Sequence, residues 1–234
     1  MSGHKKEQMN GCTHVDADAL KPALMDKIAP ALQQPIYIAN VDHCDMTPTV
    51  TTCIKTPDND QAALLVPQNS MLVTVNVQSE HVIFWIQSQT TYSTTSKPVA
   101  YIAHPSYNTL TQIFPPSTIL RAFLMCNTDP NSASNTPELA LFDVLKIGSQ
   151  PCKQMSVLER HVRLRTLLHV DGSGCSHELP NCIRIHWVGY VAACKNLQHL
   201  PWPVLGVGIV TDTGLSMVAE TAQSCSSGDK HNDI

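Results

Sequence analysis

Residues 70–77, "SMLVTVNV", decide the fold class of this chain. Met71, Val73, Val75 and Val77 alternate with Thr74 and Asn76. A period of two places apolar groups on one side of an extended strand and polar groups on the other. The next run, "EHVIFWIQ" (80–87), is apolar on both faces, as a central strand is. Only "VQSE" separates the two, which makes an antiparallel hairpin the economical reading. Outward from this hairpin, "PIYIANV" (35–41), "TPTVTTCIK" (47–55), "VAYIA" (99–103) and "VLGVGIVTD" (204–212) also have strand texture.

Three stretches carry helical spacing. In "DADALKPALMDKIAPAL" (16–32), Leu20, Leu24, Ile28 and Leu32 form a stripe, and Pro30 ends or kinks it. "IFPPSTILRAFLMCN" (113–127) has Pro115 and Pro116 ahead of Ile119, Leu120, Phe123 and Leu124. "NTPELALFDVLKIG" (135–148) runs from the cap candidate Asn135 to Gly148. The expectation is an α+β chain with a mostly antiparallel sheet and two or three short helices. Its parts are a loose segment with a short helix at 1–35, a single β-rich domain at 36–219 and a disordered tail at 220–234.

The bulk composition narrows the function. Only 15% of the 234 residues are charged and the formal net charge is −4, so the whole chain has no general attraction for nucleic acid or membrane. The nine cysteines are irregularly spaced behind a polar start, which points to free thiols in a reducing intracellular compartment, cytoplasm or nucleus. No run reaches the ~18 apolar residues of a membrane span.

The segment "CSHELPNCIRIH" (175–186) holds two cysteines and two histidines. Its C-x-H-x4-C-x3-H spacing differs from the paired spacing of zinc modules. On a strand, Cys182 and His186 stand about 13 Å apart at ~3.3 Å per residue, too far for one ion. No metal site and no cofactor is expected. "TDTG" (211–214) resembles an aspartic-protease turn, but that chemistry needs two such aspartates, and a hairpin turn is the better reading. No catalytic residue is assigned.

Charge is distributed unevenly. Four of the five arginines (160, 163, 165 and 184) fall between Lys146 and Lys195, where seven Lys or Arg face three acids. Read with period two, "RHVRLRTLLHV" (160–170) and "NCIRIHWVGYVAA" (181–193) form a strand pair. It would gather His161, Arg163, Arg165, His169, Arg184 and His186 on one exposed sheet face. Such a face would bind an anionic surface and make that binding pH-sensitive.

The order of elements resembles the matrix proteins of rhabdoviruses. A polar N-terminus precedes "MLVTVNV", then the helix "STILRAFL", then the strand pair, then "VLGVGIVTDTG". "YNTL" (107–110) has the form of a short budding motif, while the Lys-rich arm is reduced to Lys5 and Lys6. The resemblance implies a non-enzymatic structural protein of a virion. Such a protein self-associates and contacts an anionic membrane surface or a viral nucleoprotein, with no small-molecule substrate. The alternatives are a viral nucleic-acid-binding or movement protein, and a hydrolase using a Cys/His pair.

Overall fold

The computed structural model describes residues 20–38, 46, 49–53, 57–87, 98–126, 136–169, 179–194, 202–212 and 214–218. The segments 1–19 and 219–234 lie outside it. Most described strands pair antiparallel, and they form two sheets. Across the first sheet run β1 (Leu32–Ile36), β6 (Pro98–Ala103), β5 (Val82–Gln87), β4 (Ser70–Val77), β7 (Thr118–Met125), β8 (Glu138–Ile147) and β10 (Ile183–Ile185). A short β9 (Gln150–Pro151) folds back on β8. The second sheet runs β11 (Gly189–Tyr190), β3 (Ala62–Pro67), β12 (Val204–Val210), β13 (Gly214–Val218) and β2 (Thr49–Cys53). Four short helices accompany them: α1 (Leu20–Ile28), α2 (Leu110–Ile113), α3 (Val157–His169) and α4 (Val191–Cys194).

The alternation in β4 sorts its side chains as its pattern predicts. Val73, Val75 and Val77 face the helices and pack with Ile28 of α1, Leu110 of α2 and Leu164 and Leu168 of α3. Leu72 faces the second sheet, with Phe123, Ala140 and Phe142 beside it and Leu64, Val66, Val210 and Leu215 opposite. The chain crosses from β3 to β4 through Gln68 and Asn69, and Asn69 takes the left-handed φ of 52° that asparagine tolerates. On the outer face of the second sheet, Ala63, Leu65 and Ile209 are covered by Val191 and Cys194 of α4.

Two expected helices are strands. Residues 118–125 form β7 and 138–147 form β8, both in the interior of the first sheet. A central strand covered on both faces loses its alternation, and its continuous apolar run imitates a helical stripe. β8 also carries a bulge. Arg121 pairs with Asp143 and Ala122 with Leu141, so Phe142 is the extra residue.

Residues 160–169 of the expected strand are helical, which removes the expected strand pair, and Val170 lies outside the described residues. A capping box fixes its start: the Ser156 backbone N–H donates to Glu159 Oε2 at 2.7 Å, and the Glu159 N–H donates to Ser156 Oγ at 3.3 Å. Ser-x-x-Glu ahead of an apolar run was the sequence signal for it. From the second segment only Ile183–Ile185 remains in the first sheet, pairing parallel with β8, while Gly189–Tyr190 joins the second.

A strand would place Val162 and Leu164 on one face. The helix leaves Val162 61% exposed and Leu164 fully buried. Leu164→Ala should therefore cost about 2–5 kcal/mol in urea unfolding, against under ~0.5 kcal/mol for Val162→Ala. Equal costs at the two positions would refute the helix.

Candidate functional site

Between the two sheets lies a group of charged and aromatic side chains centred on Asp143. The β8 bulge turns Asp143 toward the second sheet, beside its cross-strand neighbour Arg121. Asp143 is fully buried and accepts several hydrogen bonds. Arg160 Nε donates to its Oδ1 at 2.8 Å and Nη2 to its Oδ2 at 3.1 Å. The Val144 N–H donates to Oδ1 at 2.9 Å, and Arg121 Nη1 lies 3.4 Å from Oδ2. This is a bidentate guanidinium–carboxylate pair with further donors around it.

Both arginines then reach the turn between β12 and β13. Arg121 Nη1 donates to the Thr211 carbonyl at 2.6 Å, and Nη2 donates to the Asp212 carbonyl. Arg160 Nη1 donates to Asp212 Oδ1 at 3.0 Å and to the Met155 carbonyl at 3.2 Å. Thr211 and Gly214 of "TDTG" close the end of the β12–β13 hairpin, the Thr211 N–H donating to the Gly214 carbonyl at 2.9 Å. Two aspartates and two arginines thus join β7, β8, α3 and the second sheet. Burial opposes the charge on Arg160, yet Asp143 and Asp212 more than offset it and raise its pKa.

Where β10 ends, side chains take over the edge of β8. The His186 N–H donates to the Leu141 carbonyl at 2.7 Å, and His161 Nδ1 donates to the Phe142 carbonyl at 3.0 Å. His186 then points into the interlayer, where its Nε2 donates to the Leu65 carbonyl of β3 at 2.7 Å. Its ring meets Phe123 edge-on, with centroids 5.5 Å apart, and lies 5.5 Å from Trp202.

The six residues expected on one cationic face are not gathered there. His161 is buried where α3 meets β8, and His186 is buried between the two sheets. Arg184 on β10 pairs with Glu138 and lies 4.2 Å from the Trp202 ring centroid. Arg163 is half-buried, with Nη1 3.7 Å from Met155 Sδ, and Arg165 is exposed. His169 belongs to α3, and its side chain lies outside the described residues. A helix turns successive residues by about 100°, so sites that alternate on a strand scatter around it. The two histidines, expected together on an exposed sheet face, are instead buried.

Burial pushes the His161 pKa below its usual value. Arg165 adds to the effect, while the bond to Phe142 and the charge of Asp143 oppose it. Burial also drives His186 down to about 4, helped by Arg184 and His161 and opposed by the bond to Leu65. The thiols of Cys126, Cys182 and Cys194 are pushed up by burial. Cys175 and His177 of the cysteine–histidine segment lie outside the described residues, and no group of three or more potential metal ligands occurs among the residues that are described.

Arg121 and Asp143 were not among the site residues expected from the sequence. The signal was there: "TILRAFLM" (118–125) and "LALFDVL" (139–145) each hold a single charge inside an apolar run, and the charges are opposite. The chain matches no protein-family model and no curated protein sequence. The resemblance to rhabdovirus matrix proteins therefore rests on element order alone. Two of the elements it used, the helix at 117–124 and the strand at 160–170, have the opposite secondary structure.

Removing the central carboxylate strands two buried guanidinium groups. Asp143→Ala should cost about 3–5 kcal/mol in equilibrium unfolding. Asp212→Ala, at a side chain 72% exposed, should cost under ~1 kcal/mol. Similar costs for the two would show that Asp143 is not the hub.

Proposed function

We propose that this chain is a non-enzymatic assembly protein, matrix-like in role, that self-associates and rests against an anionic surface. One observation carries the self-association: among the described residues, no strand covers the β2 edge of the second sheet. The other described edges are blunted. β1 contains Pro35 and a register shift, β9 is two residues with Pro151, β10 has three residues and β11 has two. β2, "TVTTC", has five uncharged residues and no proline, and Val50 and Thr51 are exposed. It pairs parallel with β13, and no strand lies on its other side among the described residues. A second copy adding along β2 satisfies that row of backbone groups, and the lack of charge avoids repulsion between identical strands.

Contact with an anionic surface, lipid headgroups or a nucleoprotein, falls to the outer face of α3. There Val162 projects beside exposed Arg165, with Arg163 on the flank. No helix among the described residues is long and apolar enough to cross a membrane. At Cys126, Cys182 and Cys194 the hydrolase reading is opposed by burial, which raises their pKa where an attacking cysteine needs a lowered one.

Sedimentation velocity across a concentration series tests the edge. The wild-type mass average should rise with concentration, and Thr51→Lys should hold the chain monomeric with an unchanged near-ultraviolet spectrum. A monomeric wild type, or an unaffected variant, contradicts the reading. In the same preparations, flotation with phosphatidylserine vesicles should be salt-sensitive and fall several-fold in Arg165→Glu.

A further inference from the structure

Two imidazoles are buried, His186 between the sheets and His161 where α3 meets β8, and no spare anion faces them among the described residues. His161 Nδ1 donates to the Phe142 carbonyl and His186 Nε2 to the Leu65 carbonyl. A carbonyl only accepts, so each contacting nitrogen carries the proton and the other nitrogen takes the next one. On His186 that nitrogen is Nδ1, which is buried without a hydrogen-bond partner. Its protonation creates a buried N–H and a positive charge with no acceptor.

The groups facing the two rings sharpen the conflict. His186 faces Arg184, two residues back on β10, and His161 on α3. His161 faces Arg165 on its own helix and Asp143 on β8. Asp143 is already bound by Arg160 and lies beside Arg121. Arg184 is paired with Glu138. With Asp212, the central cluster holds two positive and two negative charges, so it is balanced before either histidine gains a proton.

We propose that His161 and His186 form an acid-sensitive lock between the two sheets, closed near neutral pH and released as the pH falls toward 5. His186 is the direct link, bonded through its backbone to β8 and through its side chain to β3. Protonation expels its ring from the interlayer and frees β3 with the strands attached to it. The sign follows from the depressed values. A histidine titrating near 6.5 when exposed and near 4 when enclosed favours the closed state above 6.5 and loses that contribution between 6.5 and 4. At pH 5 the opening constant should be roughly 30-fold larger than at pH 7.5 from His186 alone.

Amide hydrogen exchange on the full chain, corrected for intrinsic rates at pH 7.5 and pH 5, reads the lock directly. Amides of β3 and β12 should lose about tenfold or more protection relative to those of β4 and β5. Equal loss in the two sheets, or none, overturns the proposal. Exchange at the imidazole Cε1 carbons, followed by mass spectrometry in the wild type, gives the two titrations without any substitution. Values at or above 6.5 for both histidines overturn it. The variant His186→Gln should flatten the pH dependence of β3 protection if it folds, and an unchanged pH dependence in it would also overturn the lock.

Discussion

A single buried carboxylate sets the terms for the rest of this fold. Asp143 lies in the interior strand β8, with no exposed surface, and an isolated charge there would be prohibitively costly. It is tolerated because two guanidinium groups and a backbone N–H converge on it. Those guanidinium groups come from β7 and α3, and both continue to the turn between β12 and β13. The requirement to satisfy one charge therefore positions a helix and a second sheet. Apolar packing of Phe123, Phe142, Leu64 and Leu215 supplies the non-directional attraction between the layers. The ion cluster selects one relative placement among the many that packing alone would permit.

The bulge at Phe142 is what makes this possible. By adding a residue, it turns Asp143 toward the second sheet in line with Arg121 and leaves the edge of β8 open past the end of β10. His161 occupies that edge, and Cys152 continues it by donating its N–H to the Leu145 carbonyl at 2.8 Å. Arg121, Asp143, Arg160, His161 and His186 are in this way committed to architecture.

Strands were legible where apolar and polar residues alternate, as in β4, or where turn residues delimit a hydrophobic run. β4, β5, β6 and β12 follow their patterns, and so does the hairpin joining β4 to β5. The failures share a physical origin. β7 and β8 are buried on both sides, which erases alternation and leaves spacing that suits a helix equally well. In α3, the Arg–Leu–Arg sequence imitates a strand, while Leu164 and Leu168, four residues apart, carry the true period. The cationic face depended on that period. Once it changes, His161 and His186 turn inward and Arg165 stays in solvent. The ion cluster was partly readable as lone opposite charges in neighbouring apolar runs, but the role of Asp212 depends on long-range packing that no local pattern encodes.

The side-chain Nε–H of Arg160, observed by proton–nitrogen magnetic resonance, tests the central claim most directly. Enclosed and bonded to Asp143 at 2.8 Å, it should give a resolved signal at neutral pH that outlasts solvent exchange in heavy water by orders of magnitude relative to an exposed arginine. A signal that exchanges as fast as that of Arg165 would mean that the cluster is open to water, and the account of how the two sheets are held together would be wrong.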